Sequence, residues 1–144
     1  LLIKNFLKMT NYLYFRTEAA VGDDDGSGNS ACYPAAHFRG AEMASDTSML
    51  LFFQNLKRPD GHGNSLVNDD AANIPLVDSV AINIKANKGK EVLEAIVGAM
   101  NAGLNSGFIV VADDAADAAG GTQYLSSDIT SCGTITINAV YDNS

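Results

Sequence analysis

Alternating and helical spacings of apolar residues predict a strand-helix-strand unit over residues 79–112. Val80, Ile82 and Ile84 stand at every second position, which is typical of a strand with one covered face. From about residue 88 to residue 104 the apolar spacing becomes three and four residues, which predicts an amphipathic helix. The apolar stripe of that helix comprises Val92, Leu93, Ile96, Val97, Met100 and Leu104. Asn87 is the expected N-cap.

Four further stretches have the spacing or apolar continuity of strands: residues 12–17, 49–56, 108–112 and 135–141. Polar loops rich in Asp, Gly and Asn separate them, and residues 34–43 are ambiguous, with a short helical turn as one reading. The pattern therefore predicts an α+β fold. We expect a curled, mainly antiparallel sheet of about five strands with one main helix.

The length of 144 residues fits a single domain spanning residues 1–144. Met9 directly precedes the first predicted strand, and one hypothesis is that residues 1–8 are an upstream extension of a chain that naturally starts at Met9.

Composition narrows the classes of partner. The chain is 47% hydrophobic and carries a net charge of −8, so we expect it to fold and to be repelled by phosphate backbones and anionic lipid. No apolar stretch is long enough to span a membrane. We therefore expect a soluble protein with neither nucleic acid nor a membrane as partner and with no cofactor. Cys32 and Cys132 lie far apart and show neither a disulfide framework nor a zinc pattern.

The acidic, glycine-rich stretch 22–30 suggests a calcium-binding site, with Asp23, Asp25 and Asn29 as the candidate ligands. Aligned to the helix-loop-helix calcium motif with Gly28 at the sixth position, however, the chain has Pro34 where a bidentate Glu is required. A surface loop without metal is the expected structure, and an irregular site remains the alternative.

Candidate catalytic pairs are Cys32 with His37 and Ser65 with His62. Such pairs need a third group that orients the base and an oxyanion hole, and the sequence shows neither. We expect no enzymatic activity.

A resemblance to known proteins rests on two segments. They are residues 11–16, Asn-Tyr-Leu-Tyr-Phe-Arg, and residues 33–43, Tyr-Pro-Ala-Ala-His-Phe-Arg-Gly-Ala-Glu-Met. With the apolar strand that follows, they resemble small uncharacterised proteins of marine bacteriophages over roughly the first 56 residues. The resemblance implies a phage-encoded protein, with the virion or the host cytoplasm as its location, and it supplies no catalytic residues.

The strands carry more apolar surface than one helix covers, since large apolar side chains occupy both faces of residues 12–15 and 49–53. We therefore expect a homo-oligomer, and other virion proteins are further possible partners. The expected interface residues are Tyr12, Tyr14, Met49, Leu51 and Phe53. The function expected is that of a structural or assembly protein, and the alternative is a small ligand- or metal-binding domain that uses the acidic loops.

Overall fold

The computed structural model describes residues 11–56, 77–102 and 107–137. Within these ranges it contains eight strands, one α-helix and two short 3-10 turns. The strands are β1 (Tyr12–Arg16), β2 (Ser30–Pro34), β3 (Phe38–Ser45), β4 (Ser48–Gln54), β5 (Val77–Ile84), β6 (Phe108–Asp113), β7 (Gln123–Tyr124) and β8 (Ile129–Thr136). The helix α1 is Gly89–Asn101, and the 3-10 turns are Val21–Asp23 and Ala35–His37.

The strands form two sheets rather than the single curled sheet of about five strands that the sequence predicted. Sheet A has the order β2-β1-β6-β7, and sheet B has the order β3-β4-β5-β8. All neighbours are antiparallel except β1 and β6, which run parallel. The α+β class is confirmed, but the expected one-sheet architecture is wrong.

Three strands, β2, β3 and β7, are not predicted from the sequence, because their alternation of apolar and polar residues is weak. β2 has the sequence Ser-Ala-Cys-Tyr-Pro, at the end of the predicted acidic loop. β3 contains Gly40, and its pairing with β4 is interrupted by two register shifts, which break any period of two. β7 has only two residues. Each of these strands is held by its pairing with a neighbouring strand, β2 with β1, β3 with β4 and β7 with β6, rather than by its own propensity.

The two sheets pack against each other around one hydrophobic core, and Phe53 lies at the centre of an aromatic cluster in it. The Phe53 ring of sheet B stacks on Tyr33 of sheet A, with ring centroids 4.3 Å apart. Phe15 and Phe38 lie 5.8 Å and 5.6 Å from the same ring. Leu51 and Met49 are buried on the same face of β4 as Phe53. The apolar face of β4 is thus covered by the other sheet of the same chain.

A buried carboxylate lies beside this aromatic cluster. Asp78 has no exposed surface, and its Oδ2 accepts hydrogen bonds from the Tyr33 hydroxyl at 2.8 Å and from the Leu56 N–H at 3.0 Å. A buried carboxylate is tolerated only where donors replace its lost hydration. Burial and the bond to Asp78 raise the pKa of Tyr33, so its hydroxyl remains a donor at neutral pH.

Helix α1 buries the face predicted for it. Val92 and Ile96 are fully buried in the shared core, and Met100 is half-buried. Val97 lies outside the buried face, with 39% of its surface exposed. The predicted N-cap was wrong: the cap is Lys88, while Asn87 has φ of 65° and forms part of the preceding turn. The predicted position Leu104 lies outside the described residues.

The strands on either side of α1 belong to different sheets, β5 to sheet B and β6 to sheet A. The helix therefore bridges the two layers and makes no crossover within one sheet. Of the predicted strand at 135–141, the described part forms the end of β8, which begins earlier, at Ile129. In the residues that the structure describes, no helix combines the length and the apolar character needed to cross a membrane.

Replacing Ile96 with Ala is expected to lower the free energy of unfolding by about 2–5 kcal/mol, because it removes three carbons from a fully buried position and leaves a cavity. Urea unfolding followed by circular dichroism measures the change. Val97→Ala, on the exposed side of the same helix, is the matched control and should change stability by about 0.5 kcal/mol or less. Equal losses in the two variants would show that the buried face is assigned incorrectly.

Candidate functional site

The structure separates the five predicted interface residues into two groups. Met49, Leu51 and Phe53 lie in the core between the sheets, with at most 2% of their surface exposed. Tyr12 and Tyr14 lie on the opposite, outer face of sheet A, where Tyr12 is 42% exposed and Tyr14 is half-buried. The alternation along β1 causes this placement, because Leu13 and Phe15 point into the core.

The outer face of sheet A carries a continuous uncharged surface, which we call the aromatic face. Parallel pairing places Tyr12 beside Phe108 of β6, which is 49% exposed. The Tyr14 and Phe108 rings lie with centroids 5.2 Å apart. The outward positions of the three adjoining strands complete the face, which consists of Tyr12, Tyr14, Cys32, Pro34, Phe108 and Val110.

The sequence reasoning missed Phe108 as a member of this surface. The signal was present, since Phe108 and Val110 alternate with Ile109 and Val111. The residues 108–112 were nevertheless interpreted as one continuous apolar strand. Only the parallel pairing of β1 with β6, which are about a hundred residues apart in sequence, brings the three rings together.

A network of charged side chains borders the aromatic face at the carboxyl ends of the parallel strands β1 and β6. Arg16 and Asp113 are paired across β1 and β6, and their side chains form a two-pronged ion pair with both distances at 2.8 Å. The same guanidinium reaches Asp24 at 3.3 Å and lies 5.9 Å from the centre of the Tyr14 ring. Bidentate guanidinium-carboxylate pairs fix both partners in orientation. The network therefore anchors the acidic loop to sheet A.

The pKa values of the network follow from burial and from its ion pair. Burial alone would raise the pKa of Asp113, but the bonds from Arg16 and from the Ala115 N–H outweigh it and lower the pKa below its ordinary value of 3.8. Burial raises the pKa of Tyr14, against the opposing effect of Arg16, and the nearby carboxylates of Asp24 and Asp113 raise it further. Tyr14 therefore presents a neutral phenol at neutral pH.

The candidate calcium ligands Asp23, Asp25 and Asn29 lie in the loop between β1 and β2. Asp23 lies in a 3-10 turn, and the Asn29 side-chain amide donates to the Asp23 carbonyl oxygen at 2.7 Å. Across the ranges that the structure describes, no group of three or more His, Cys, Asp or Glu side chains has an arrangement suited to a metal ion. The neighbouring Asp117 carboxylate accepts from the Val21 N–H at 2.7 Å, so it joins two loops together.

The two thiols lie in surroundings that favour their neutral forms. Burial raises the pKa of the Cys32 thiol, whereas a nucleophile requires a thiolate. Burial and the carboxylates of Asp114 and Asp113 raise the pKa of Cys132 to about 12. Nδ1 of His37 is buried without a hydrogen-bond partner among the described residues. Both cysteines are free, and the pair His62 and Ser65 lies outside the described residues.

An open groove of about 250 Å³ lies between the start of helix α1 and strands β3 and β4. Its lining is mostly apolar and comprises Ala41, Glu42, Met43, Met49, Gly89, Lys90 and Leu93. A Cβ atom added at Gly89 would lie 2.8 Å from the Met43 sulfur, so the absence of a side chain there lets the helix approach β3 closely.

Comparisons with family models, with curated proteins and with solved structures gave no match for this chain. The function is therefore inferred from the geometry described above.

Replacing Asp113 with Asn is expected to cost about 1–3 kcal/mol of stability at pH 7, because it removes the charge that balances the largely buried Arg16. The wild-type advantage is present above pH 3.8 and is lost as the pH falls through the lower pKa of folded Asp113. Urea unfolding of both proteins between neutral and acidic pH tests this. Asp25→Asn, at an exposed position, is the control. A difference that persists undiminished in strong acid would contradict the assignment.

Excess calcium is expected to leave the unfolding temperature unchanged. Asp24 bonds to Arg16, Asp117 bonds to a backbone amide, and no group of acidic side chains among the described residues is arranged for a shared cation. A ligand that binds only the folded state raises stability by mass action. Thermal unfolding with millimolar calcium, and with magnesium as the comparison ion, measures this. A clear stabilisation by calcium alone would favour the ligand-binding alternative.

Proposed function

We propose that this chain is a non-enzymatic structural or assembly protein that acts by self-association through its aromatic face. The observation that supports the proposal is the set of three neighbouring rings, Tyr12, Tyr14 and Phe108, on the aromatic face, whose six residues are uncharged. Aromatic side chains are enriched at the centres of protein interfaces, where charged residues are depleted.

The distribution of charge favours this face as the contact between copies. The chain carries a net charge of −8, so two copies repel each other at long range. Repulsion is weakest where the contacting surfaces lack carboxylates. Among the described residues, Arg16 is the charged group beside the aromatic face, and it is already paired with Asp113 and Asp24. A contact made by the six residues of this face buries no carboxylate of its own.

The energy available is moderate. Complete burial of a large apolar side chain contributes roughly 1.5–3 kcal/mol, and Tyr12 and Phe108 have 42% and 49% of their surface still exposed. Each of these rings in each copy can therefore contribute roughly 1 kcal/mol on burial. Such an interface suits a protein that is reinforced by many neighbours in an assembly. This agrees with a virion component, which the resemblance to marine bacteriophage proteins implies. Another virion protein is the alternative partner for the same face.

Replacing Phe108 with Glu is expected to abolish association through the aromatic face, because it places a carboxylate in each copy at the centre of the contact. Light scattering on the purified protein at tens of micromolar should give a mass above the 15.1 kDa monomer for the wild type and a smaller assembly for the variant. Thr134→Glu, at an exposed position of β8, is the matched control and should assemble like the wild type.

Unfolding curves for both variants establish that the chain still folds. A wild-type mass equal to that of the monomer at these concentrations would refute the proposed self-association. Equal assembly of the wild type and the Phe108 variant would refute the aromatic face as the contact.

A further inference from the structure

Strand β3 is the longest sheet edge that other parts of the described chain leave open. It has eight residues and pairs, among the described residues, with β4 alone. Arg39 and Glu42 on this strand are exposed, and Met43 is 44% exposed. An unpaired edge of this length presents backbone N–H and C=O groups to an incoming strand.

The other edges are shorter or already occupied. On β8, the carbonyl of Cys132 accepts from Thr17 Oγ1 at 3.4 Å, and its N–H donates to Asp114 at 2.9 Å. β7 has two residues. β2 has five, ends in Pro34, which lacks an N–H, and forms a bridge through Ser30 to Ser27. Pairing with a further strand is therefore least obstructed at β3.

The pairing of β3 with β4 shows which face each β3 residue occupies. Three residues of β3 lie opposite buried residues of β4 and therefore belong to the core-facing side of sheet B. The pairs are Phe38 with Phe53, Ala41 with Leu51 and Met43 with Met49. Gly40 and Glu42 lie opposite Phe52 and Leu50 and belong to the outer side. Arg39 is the extra residue at the register shift, and its guanidinium donates to Gln54 on the outer side at 2.7 Å.

We propose that β3 pairs antiparallel with β3 of a second copy about a two-fold axis at Ala41, so that the two B sheets become continuous. Paired residues of an antiparallel sheet share a face, which requires a register that joins outer to outer and inner to inner positions. With Ala41 opposite its own counterpart, Gly40 lies opposite Glu42 of the second copy, and both are outer positions.

The side chains are complementary in this register. Because Arg39 is the extra residue of the bulge and is skipped in the pairing, Phe38 lies opposite Met43 of the second copy on the inner side, which joins two apolar residues. On the outer side, Arg39 is adjacent to Gly40 and therefore next to Glu42 of the second copy. Gly40 has no side chain to fill the space between them. The two-fold axis repeats both contacts, which gives two ion pairs and two apolar pairs in each dimer.

This contact rests on the proposed self-association and adds to it a second interface on a different sheet. A two-fold contact alone closes as a dimer, whereas a chain with two separate self-contacts can continue to larger assemblies. Opposite charges on the edge also select the partner, because a strand with a different charge pattern would leave Arg39 or Glu42 opposite a like charge.

The test uses reciprocal charge reversal in the full-length chain that also carries Phe108→Glu, so that the aromatic face does not contribute. Sedimentation velocity over a concentration series gives the dimer Kd. Arg39→Glu and Glu42→Arg are each expected to weaken dimerisation roughly tenfold or more, because attraction becomes repulsion at two places in the dimer. The double variant R39E/E42R is expected to recover dimerisation.

Mixing supplies the decisive comparison. An equimolar mixture of the two single variants should form a mixed dimer, since one contributes only negative and the other only positive charges at these positions. Loss of a structural contact such as the one from Arg39 to Gln54 would not be restored by mixing. A Kd that is unchanged in the single variants, or no recovery in the mixture and the double variant, would overturn the β3 contact. If the wild type assembles but the chain that carries only Phe108→Glu is a monomer, the β3 contact is refuted. The aromatic face would then still account for the assembly of the wild type.

Discussion

The stacking of Phe53 on Tyr33 joins the two sheets, and much of the architecture depends on it. The Phe53 ring contacts aromatic residues from β1, β2 and β3. Tyr33 also carries a hydroxyl, and a buried hydroxyl must find a partner. Asp78 supplies that partner, and the same carboxylate accepts from the Leu56 N–H at the end of β4. A stacked ring pair and one buried carboxylate thus set the relative positions of β2, β4 and β5. Removal of the Asp78 carboxylate would take away the acceptor of the buried Tyr33 hydroxyl.

The Arg16 network performs a similar task at the far end of sheet A. Parallel neighbours such as β1 and β6 cannot be joined by a tight hairpin, so their register depends on side chains and on tertiary packing. The pairing of Arg16 with Asp113 fixes the ends of both strands, and Asp24 brings the acidic loop to the same guanidinium. Asp24, which lies in the acidic stretch that suggested a cation site, in this way organises the loop instead. The same arrangement gathers negative charge at one end of the sheet and leaves the aromatic face neutral.

The two proposed contacts would be stabilised by different interactions. At the aromatic face, burial of half-exposed rings provides the free energy of association. The absence of charged residues makes this face the one that two acidic copies bring together. At the β3 edge, backbone hydrogen bonds provide attraction, and the opposite charges of Arg39 and Glu42 provide selection. The faces belong to different sheets, so one contact does not obstruct the other by sharing residues. Together, these two surfaces form the basis of the assembly role that we propose for this chain.

The sequence by itself determined the α+β class, the helix with Val92 and Ile96 on its buried face, and the inward alternation of Val80, Ile82 and Ile84. These features follow from local periodicity, which each segment carries within itself. It could not determine that the apolar faces of β1 and β4 cover each other, because that contact joins residues about forty positions apart. Nor could it find β2 and β3, whose weak patterns become strands only when β1 and β4 supply their hydrogen bonds. The apolar pattern grouped Tyr12 and Tyr14 with Met49, Leu51 and Phe53 as expected interface residues. The structure buries the last three in the core and leaves the two tyrosines on the outer face of sheet A. Their meeting with Phe108 was decided only by the tertiary structure, since a parallel strand pair is formed by the packing of the whole chain and not by any turn in the sequence.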